Sequence, residues 1–185
     1  MRNPSFASQE PQAASSSDCT TTAKSDDRFP PYAPYLKRFL EGVGISNPIP
    51  ENYSSKDFYS DLLCNHLKVD TVRRGHVTCF TTVKPAITNA LDGLHGGVVA
   101  AIAERVATAT ARTVVGEDKD MFLGELAMSY LSSATIDAEL IVEGSVVRSG
   151  RNLTVIVVEF RMRETGKLVY SSRATFYNSP LVAKI

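Results

Sequence analysis

Between Ser55 and Leu67, the apolar residues Phe58, Leu62, Leu63 and Leu67 fall on one helical face, and the spacing predicts a short helix over about 56–66. An earlier stretch, PYLKRFLEGV from Pro34 to Val43, sets Leu36, Phe39, Leu40 and Val43 at helical spacing and ends at Gly44. From Val69 the pattern changes. VDTVRRGHVTCFTTVK is dense in β-branched residues and alternates loosely, which predicts a strand pair, or one long bent strand, interrupted at Gly75. Residues 85–94, PAITNALDGL, read as a loop delivering the chain to His95-Gly96-Gly97. VVAAIAERVATATARTVVG then forms the one long helix candidate in the body of the chain, from about 97 to 114 and closed by Gly116. Four strand-like runs follow at 122–131, 136–147, 152–163 and 167–178. The pairs Ser149-Gly150 and Thr165-Gly166 sit where tight hairpin turns belong, so these four strands are expected to form an antiparallel meander. One long helix sharing a core with five or so strands defines an α+β fold.

Ahead of this pattern, residues 1–34 are rich in Ser, Thr, Ala and Pro and almost lack aliphatic side chains. Too little apolar surface is available there to offset the entropy of ordering, which predicts a disordered leader. The expected organisation is a leader over 1–34, a short helix and linker over 35–54, and one domain over 55–185. Abundant Ser and the basic Arg2 suit a cleaved transit peptide, whereas Glu10, Asp18, Asp26 and Asp27 do not. The final Ala183-Lys184-Ile185 resembles a weak form of the peroxisomal Ser-Lys-Leu address. A cytosolic location is the expectation, with peroxisomal or other organelle import as the alternatives.

Composition narrows the function classes. Lys and Arg total 20 and so do Asp and Glu, so no whole-chain basic field draws nucleic acid. Apolar runs are broken every few positions and none reaches the roughly 18–20 residues of a membrane-spanning helix. Cys19, Cys64 and Cys79 form neither a CxxC pair nor an even disulfide framework and suit a reducing compartment. His66 and His76 have no acidic or cysteine partners at metal-ligand spacing, and no metal site is expected. No GxSxG elbow supplies a serine triad.

The long helix carries the chemistry. Val98, Val99, Ala100, Ala101, Ile102, Ala103, Val106, Ala107 and Ala109 make it apolar or small on nearly every side, which predicts burial all round. Glu104 lies inside this run, and a carboxylate there loses solvation worth several kcal/mol unless partners or water offset it. The plain alternative is a solvent-facing Glu104 and Arg105. At the helix start, Gly96 and Gly97 expose amides that have no helical acceptor and carry the positive end of the macrodipole, an arrangement suited to stabilising an oxyanion. Such a pair also serves simply to turn a chain into a helix. Gly96 and Glu104 are eight positions apart, roughly 12 Å of helix rise, so both cannot touch one carbonyl within one chain. If both act on one substrate atom, two antiparallel copies of the helix must meet about a two-fold axis, which predicts an obligate homodimer.

The arrangement N89-x5-H95-G96-G97-x6-E104-x3-T108, followed by GELAMSYLSSA, VVRSGRNLTVIVVEF and SSRATFYN, resembles the hotdog-fold acyl-CoA thioesterases of the phenylacetate-degradation type, in the branch with Glu on the helix. The resemblance covers about residues 60–180. It implies an antiparallel sheet wrapped around one central helix, a homodimer or homotetramer, and hydrolysis of a CoA thioester to free acid and CoA. It assigns Gly96 as the amide that polarises the carbonyl and Glu104 as nucleophile or general base. Asn89 matches a residue that assists near the thioester, and Thr108 matches a hydroxyl that places the attacking water. His95 either donates through its ring or, more simply, holds the loop before the helix. Gly97, Arg148, Ser149, Gly150 and Arg151 are the expected substrate contacts, the arginines for CoA phosphates, with Arg73 and Arg74 as second choices. The chain departs from the family within LGELA, where a hydrophilic residue common in the strand after the helix is replaced, which leaves the acyl preference open, and Glu125 is the expected residue at the mouth of that pocket. CoA is part of the substrate and no other cofactor is implied. An acyl-carrier-protein thioesterase, a dehydratase and a non-catalytic acyl-CoA-binding protein are the alternatives of the same fold.

Overall fold

Residues 58–180, which the computed structural model describes, begin with helix α1 (Phe58–His66) and run directly into strands β1 (Leu67–Arg73) and β2 (His76–Thr82). The turn between these strands needs a left-handed residue and has one in Gly75, at φ +80°. A 3-10 turn at Pro85–Ile87 leads through a loop to helix α2 (Gly96–Arg112). Then come β3 (Lys119–Tyr130), β4 (Glu139–Ser149), β5 (Leu153–Met162) and β6 (Leu168–Pro180). The leader 1–34, the helix predicted at Pro34–Val43, the linker 35–54 and the tripeptide Ala183-Lys184-Ile185 lie outside the described residues. Among the described residues, no helix is long and apolar enough to cross a membrane.

All neighbouring strands are antiparallel, in the order β1-β2-β4-β5-β6-β3 across a six-stranded sheet. The expected four-strand meander is therefore corrected to three consecutive strands, β4, β5 and β6. A strand has only two hydrogen-bonding edges, and those of β4 are taken by β2 (Thr78 opposite Glu143) and β5 (Glu143 opposite Glu159). The first of the four runs, β3, pairs instead along β6, from Lys119 opposite Pro180 to Tyr130 opposite Tyr170.

One face of this sheet wraps α2. Val98, Val99, Ile102, Ala103, Val106, Ala107 and Ala111 pack into Val77, Leu140, Val142, Ile156, Val158, Phe160 and Phe176. Each fully buried valine, leucine or isoleucine side chain here contributes on the order of 1.5–3 kcal/mol. The approach is closest at Gly144 of β4, where a Cβ would collide with the Thr110 hydroxyl and meet Val106 Cγ1 at 3.0 Å. The far end of the helix is tied down by side chains. Thr113 Oγ1 donates to Thr110 O (2.6 Å) and accepts from the Gly75 amide (2.8 Å), joining the end of α2 to the β1–β2 turn.

The prediction that α2 is buried all round is also corrected. Gly97, Glu104, Arg105, Ala109 and Arg112 are exposed, and Ala101 and Thr108 are half-buried. A single sheet covers one side of a helix, so the opposite face stays open until something else packs on it. Small residues there carry no sign of which layer they meet.

Gly144→Ala is expected to destabilise the protein by about 1–3 kcal/mol, because the methyl must displace helix side chains in a packed interior. Urea unfolding should show a lower midpoint with an unchanged slope, and a midpoint equal to wild type would contradict this account of the helix seat.

Candidate active site

The site grows from the N-terminus of α2. His95 is the N-cap, in extended conformation at φ −63° and ψ 126°. Its backbone carbonyl accepts from Val98 N (2.9 Å) and Val99 N (3.0 Å), and its ring Nδ1 accepts from Gly97 N (3.0 Å). With Nδ1 an acceptor, the neutral ring carries its proton on Nε2. A side chain at position 97 would press on this ring, since a Cβ there lies 3.2 Å from Nδ1. The structural role for His95, holding the approach to the helix, is what the geometry displays.

Accounting for the remaining first-turn amides isolates one. Gly97, Val98 and Val99 are all satisfied by His95, whereas the Gly96 N–H meets no acceptor among the described residues. No acidic side chain sits in the first turn to compensate the positive end of the helix. Gly96 therefore presents a single unspent donor, reinforced by the macrodipole, to any oxygen that arrives.

Asn89 shapes the loop that delivers this amide. Its Oδ1 accepts from the amides of Leu91 (2.9 Å) and Gly93 (3.2 Å), and its own N–H donates to Gly93 O (2.8 Å). The side-chain carbonyl is thus committed to backbone, while the Nδ2 protons make no hydrogen bond among the described residues. Bridges from Thr88 to Leu94 and from Gly93 to Thr135, and a hydrogen bond from His95 N to Ile87 O (2.9 Å), fasten the rest of the loop.

Two tyrosines that the sequence does not single out close the helix start. The Tyr130 hydroxyl donates to Gly96 O (3.0 Å), and the Tyr59 hydroxyl, carried by α1, donates to Gly97 O (3.3 Å). Tyr59 belongs to no motif, and Tyr130 lies within the GELAMSYLSSA segment of the resemblance without being given a role there. Only the return of β3 past the helix start and the packing of α1 beside it bring them here.

Glu104 and Thr108 lie further along the open face of α2, following Gly97 and Ala101 in steps of three and four residues. Glu104 is exposed and forms no ion pair or hydrogen bond among the described residues, so its inferred position inside a buried run is corrected. Its desolvation arises only when a second surface covers the helix. About 12 Å of helix rise separates it from Gly96, and the chain does not bring the two together.

The expected CoA contacts gather at the other end of the helix. Arg148, Ser149, Gly150 and Arg151 are exposed at the β4–β5 turn, and the Ser149 hydroxyl stands 3.5 Å from that of Thr154. Lys119 Nζ donates to Arg151 O (3.2 Å) and Arg112 donates to Lys119 O (2.8 Å), so two further cations border the turn. Arg73 and Arg74 flank the β1–β2 turn, which is tied to the same helix end through Thr113. These cations come from segments distant in sequence, and only the fold collects them. Glu125 takes another direction. Met121, Leu123, Leu126 and Met128 of β3 pack toward the core, and a bulge between Leu123 and Glu125 leaves Glu125 exposed beside Leu126 on the opposite face. Within one chain it therefore faces away from α2. A surface cavity of about 210 Å³ lined by His66, Lys68, Phe80 and Lys84 contains none of the predicted site residues.

Comparison with known proteins agrees with this architecture. The thioesterase superfamily model matches residues 92–169, the stretch from the loop before α2 into β6. Acyl-coenzyme A thioesterase 13 of Homo sapiens is 30% identical over 105 residues, which span 55% of this chain and 71% of that protein. The corresponding protein of Mus musculus is 30% identical over 101 residues, 52% of this chain and 69% of its own length. Among solved structures, zebrafish thioesterase superfamily member 2 superposes with a TM-score of 0.61 at 23% identity, covering 67% of this chain and 88% of that one. A hypothetical thioesterase from Streptococcus pneumoniae with coenzyme A gives 0.60 at 22% identity, covering 69% and 98%. The chain belongs to the thioesterase superfamily, and its antiparallel sheet around a long helix is the hotdog fold.

The Asn89 geometry separates its two groups. Asn89→Asp retains an acceptor for the Leu91 and Gly93 amides and should unfold like wild type, whereas Asn89→Ala strands the part-buried Gly93 amide and should cost about 1–2 kcal/mol. Equal thermal stability of the alanine variant and wild type would contradict a loop held by this side chain.

Proposed function

We propose that the protein is an acyl-CoA thioesterase, hydrolysing a CoA thioester to the free acid and CoA in a homodimer whose sites are shared between subunits. The observation that carries this reading is that one helix holds an unspent amide at its start, Gly96, and on its open face Glu104, which has no ion pair or hydrogen bond among the described residues, in a chain of the thioesterase superfamily. Antiparallel packing of two copies of α2 would set Gly96 of one against Glu104 of the partner subunit and cover the small residues Gly97, Ala101 and Ala109.

In this arrangement the Gly96 N–H donates to the thioester oxygen as negative charge develops on it, and the Nδ2 of Asn89, which makes no hydrogen bond among the described residues, serves as a second donor. Glu104 either removes a proton from a water that attacks the carbonyl carbon, with Thr108 placing that water, or attacks the carbon itself to form a mixed anhydride, which a second step with water hydrolyses to the free acid and the carboxylate. The C–S bond breaks as the tetrahedral intermediate collapses. A thiol has a pKa near about 8.5, so the thiolate leaves with little help from a general acid. One base and one oxyanion donor therefore suffice, and the reaction calls for no cofactor beyond the CoA of the substrate. The cations around the β4–β5 turn suit the phosphates of CoA, and antiparallel helices bring the C-terminal end of one copy toward the N-terminal end of the other. A homotetramer of two such dimers preserves the same sites.

A panel of acyl-CoAs read with a thiol-trapping dye tests the activity, and thiol release from at least one member is the expected result. Glu104→Gln should lose at least about two orders of magnitude in turnover while remaining dimeric by light scattering. Unchanged turnover would remove Glu104 from the mechanism, and binding without thiol release in the wild type would make the protein an acyl-CoA binder instead.

A further inference from the structure

The Gly96 donor has a difficulty built into it. The donor sits on the first of two consecutive glycines, residues with the widest backbone freedom, at a helix end where the amides lack helical partners. A donor that swings must be reoriented during the reaction, and much of the value of an oxyanion site lies in needing no such reorientation. Something has to hold the Gly96–Gly97 peptide in place.

The geometry points to Tyr130 as a positioning residue for the Gly96 amide. This deepens the thioesterase reading above and rests on it. The peptide joining Gly96 to Gly97 is gripped at both ends, with its carbonyl accepting from the Tyr130 hydroxyl (3.0 Å) and its N–H donating to His95 Nδ1 (3.0 Å). A peptide unit is planar, so fixing its oxygen and its hydrogen together fixes its plane and restricts rotation at Gly96. The preceding peptide, which contains the Gly96 N–H itself, is held through His95 O by two helical amides. The phenol also lies over the glycine, since a Cβ on Gly96 would be 3.5 Å from Tyr130 Cε1.

Tyr130 is itself well anchored. It ends β3 directly opposite Tyr170 of β6, and the two rings meet edge to face at 5.9 Å. Tyr170 meets the fully buried Phe160 edge to face at 5.7 Å, and its hydroxyl oxygen accepts from Ala134 N (3.0 Å). A ladder of three aromatic rings thus runs from the core to the helix start, and its last member ends in the hydroxyl that grips Gly96. Tyr170 is buried, and burial raises its phenol pKa, so it stays neutral within the ladder. Burial alone does not explain the hydroxyl of Tyr130, because that ring is 53% exposed and the oxygen is within reach of water.

Tyr130→Phe keeps the ring and removes the grip. The expected result with a cleavable acyl-CoA is a fall in kcat of about tenfold, the size of one aligned hydrogen bond, with KM changed less than about twofold. Affinity for an uncleavable CoA thioether that lacks the carbonyl should be unchanged, as should melting temperature and oligomeric state. A purely structural tyrosine would show the opposite pattern, with a lower melting temperature and wild-type kcat per folded subunit. Wild-type kcat in Tyr130→Phe, or a loss confined to KM or to thioether affinity, overturns the inference while leaving the thioesterase reading intact if Glu104→Gln is inactive in the same assay. Absence of thioester hydrolysis by wild type overturns both.

Discussion

The seat of α2 against the sheet at Gly144 divides the helix into two faces, and the chemistry follows from that division. Because no side chain intervenes there, Val106 and Thr110 press directly onto β4, and one flank of the helix is sealed by the sheet. The side the sheet leaves uncovered carries glycine, alanine, Thr108 and the Glu104 carboxylate, with Arg105 and Arg112 also exposed. That open flank is unsuited to water only in part, since its small residues offer little apolar area yet permit a second backbone to come close. A partner helix is the natural cover, and it would desolvate Glu104 only where a substrate oxygen or water is waiting for it.

The N-terminus of α2 shows the same economy. Four amides there lack helical acceptors by construction. The His95 N–H donates to Ile87 O, the His95 ring satisfies Gly97 and its carbonyl satisfies Val98, and the single remaining donor belongs to Gly96, whose lack of a side chain permits close approach. Holding this donor still requires contributions from three separate segments: the Asn89 turn, the capping histidine and the end of β3. Catalysis by so few groups is chemically reasonable for a thioester, whose leaving group is already stable as an anion. It would be inadequate for an amide.

Much of this was legible in the sequence, for reasons that also mark where legibility stopped. The helix predicted over 97–114 is found at Gly96–Arg112, and the hairpins fall at Gly150 and Gly166, because periodicity and turn residues are local properties. The place of β3 at the sheet edge was not legible, because the pairing of Lys119 with Pro180 depends on which edges remain free after β2 and β5 have bound β4. The open face of α2 was misread as core, since alanines look the same whether they meet their own sheet or another copy. The resemblance singles out Asn89 and His95, but their hydrogen bonds depend on a loop that curls back through Gly93. Tyr130 lies within the GELAMSYLSSA segment, but nothing in the sequence gives it a role, as a tyrosine at a strand end is unremarkable until the strand is placed beside the helix.

The central claim is that each site takes its amide from one subunit and its carboxylate from the other, and subunit mixing addresses this directly. Gly96→Pro deletes the one free N–H at the first helical position, where proline is well tolerated, and Glu104→Gln deletes the carboxylate. Each variant alone should be nearly inactive as a homodimer. Unfolding, mixing and refolding the two together should restore thioesterase activity, because a heterodimer contains one site with both groups intact. Activity that stays at the level of the separate variants, in a sample shown by mass spectrometry to contain heterodimers, would contradict the shared site.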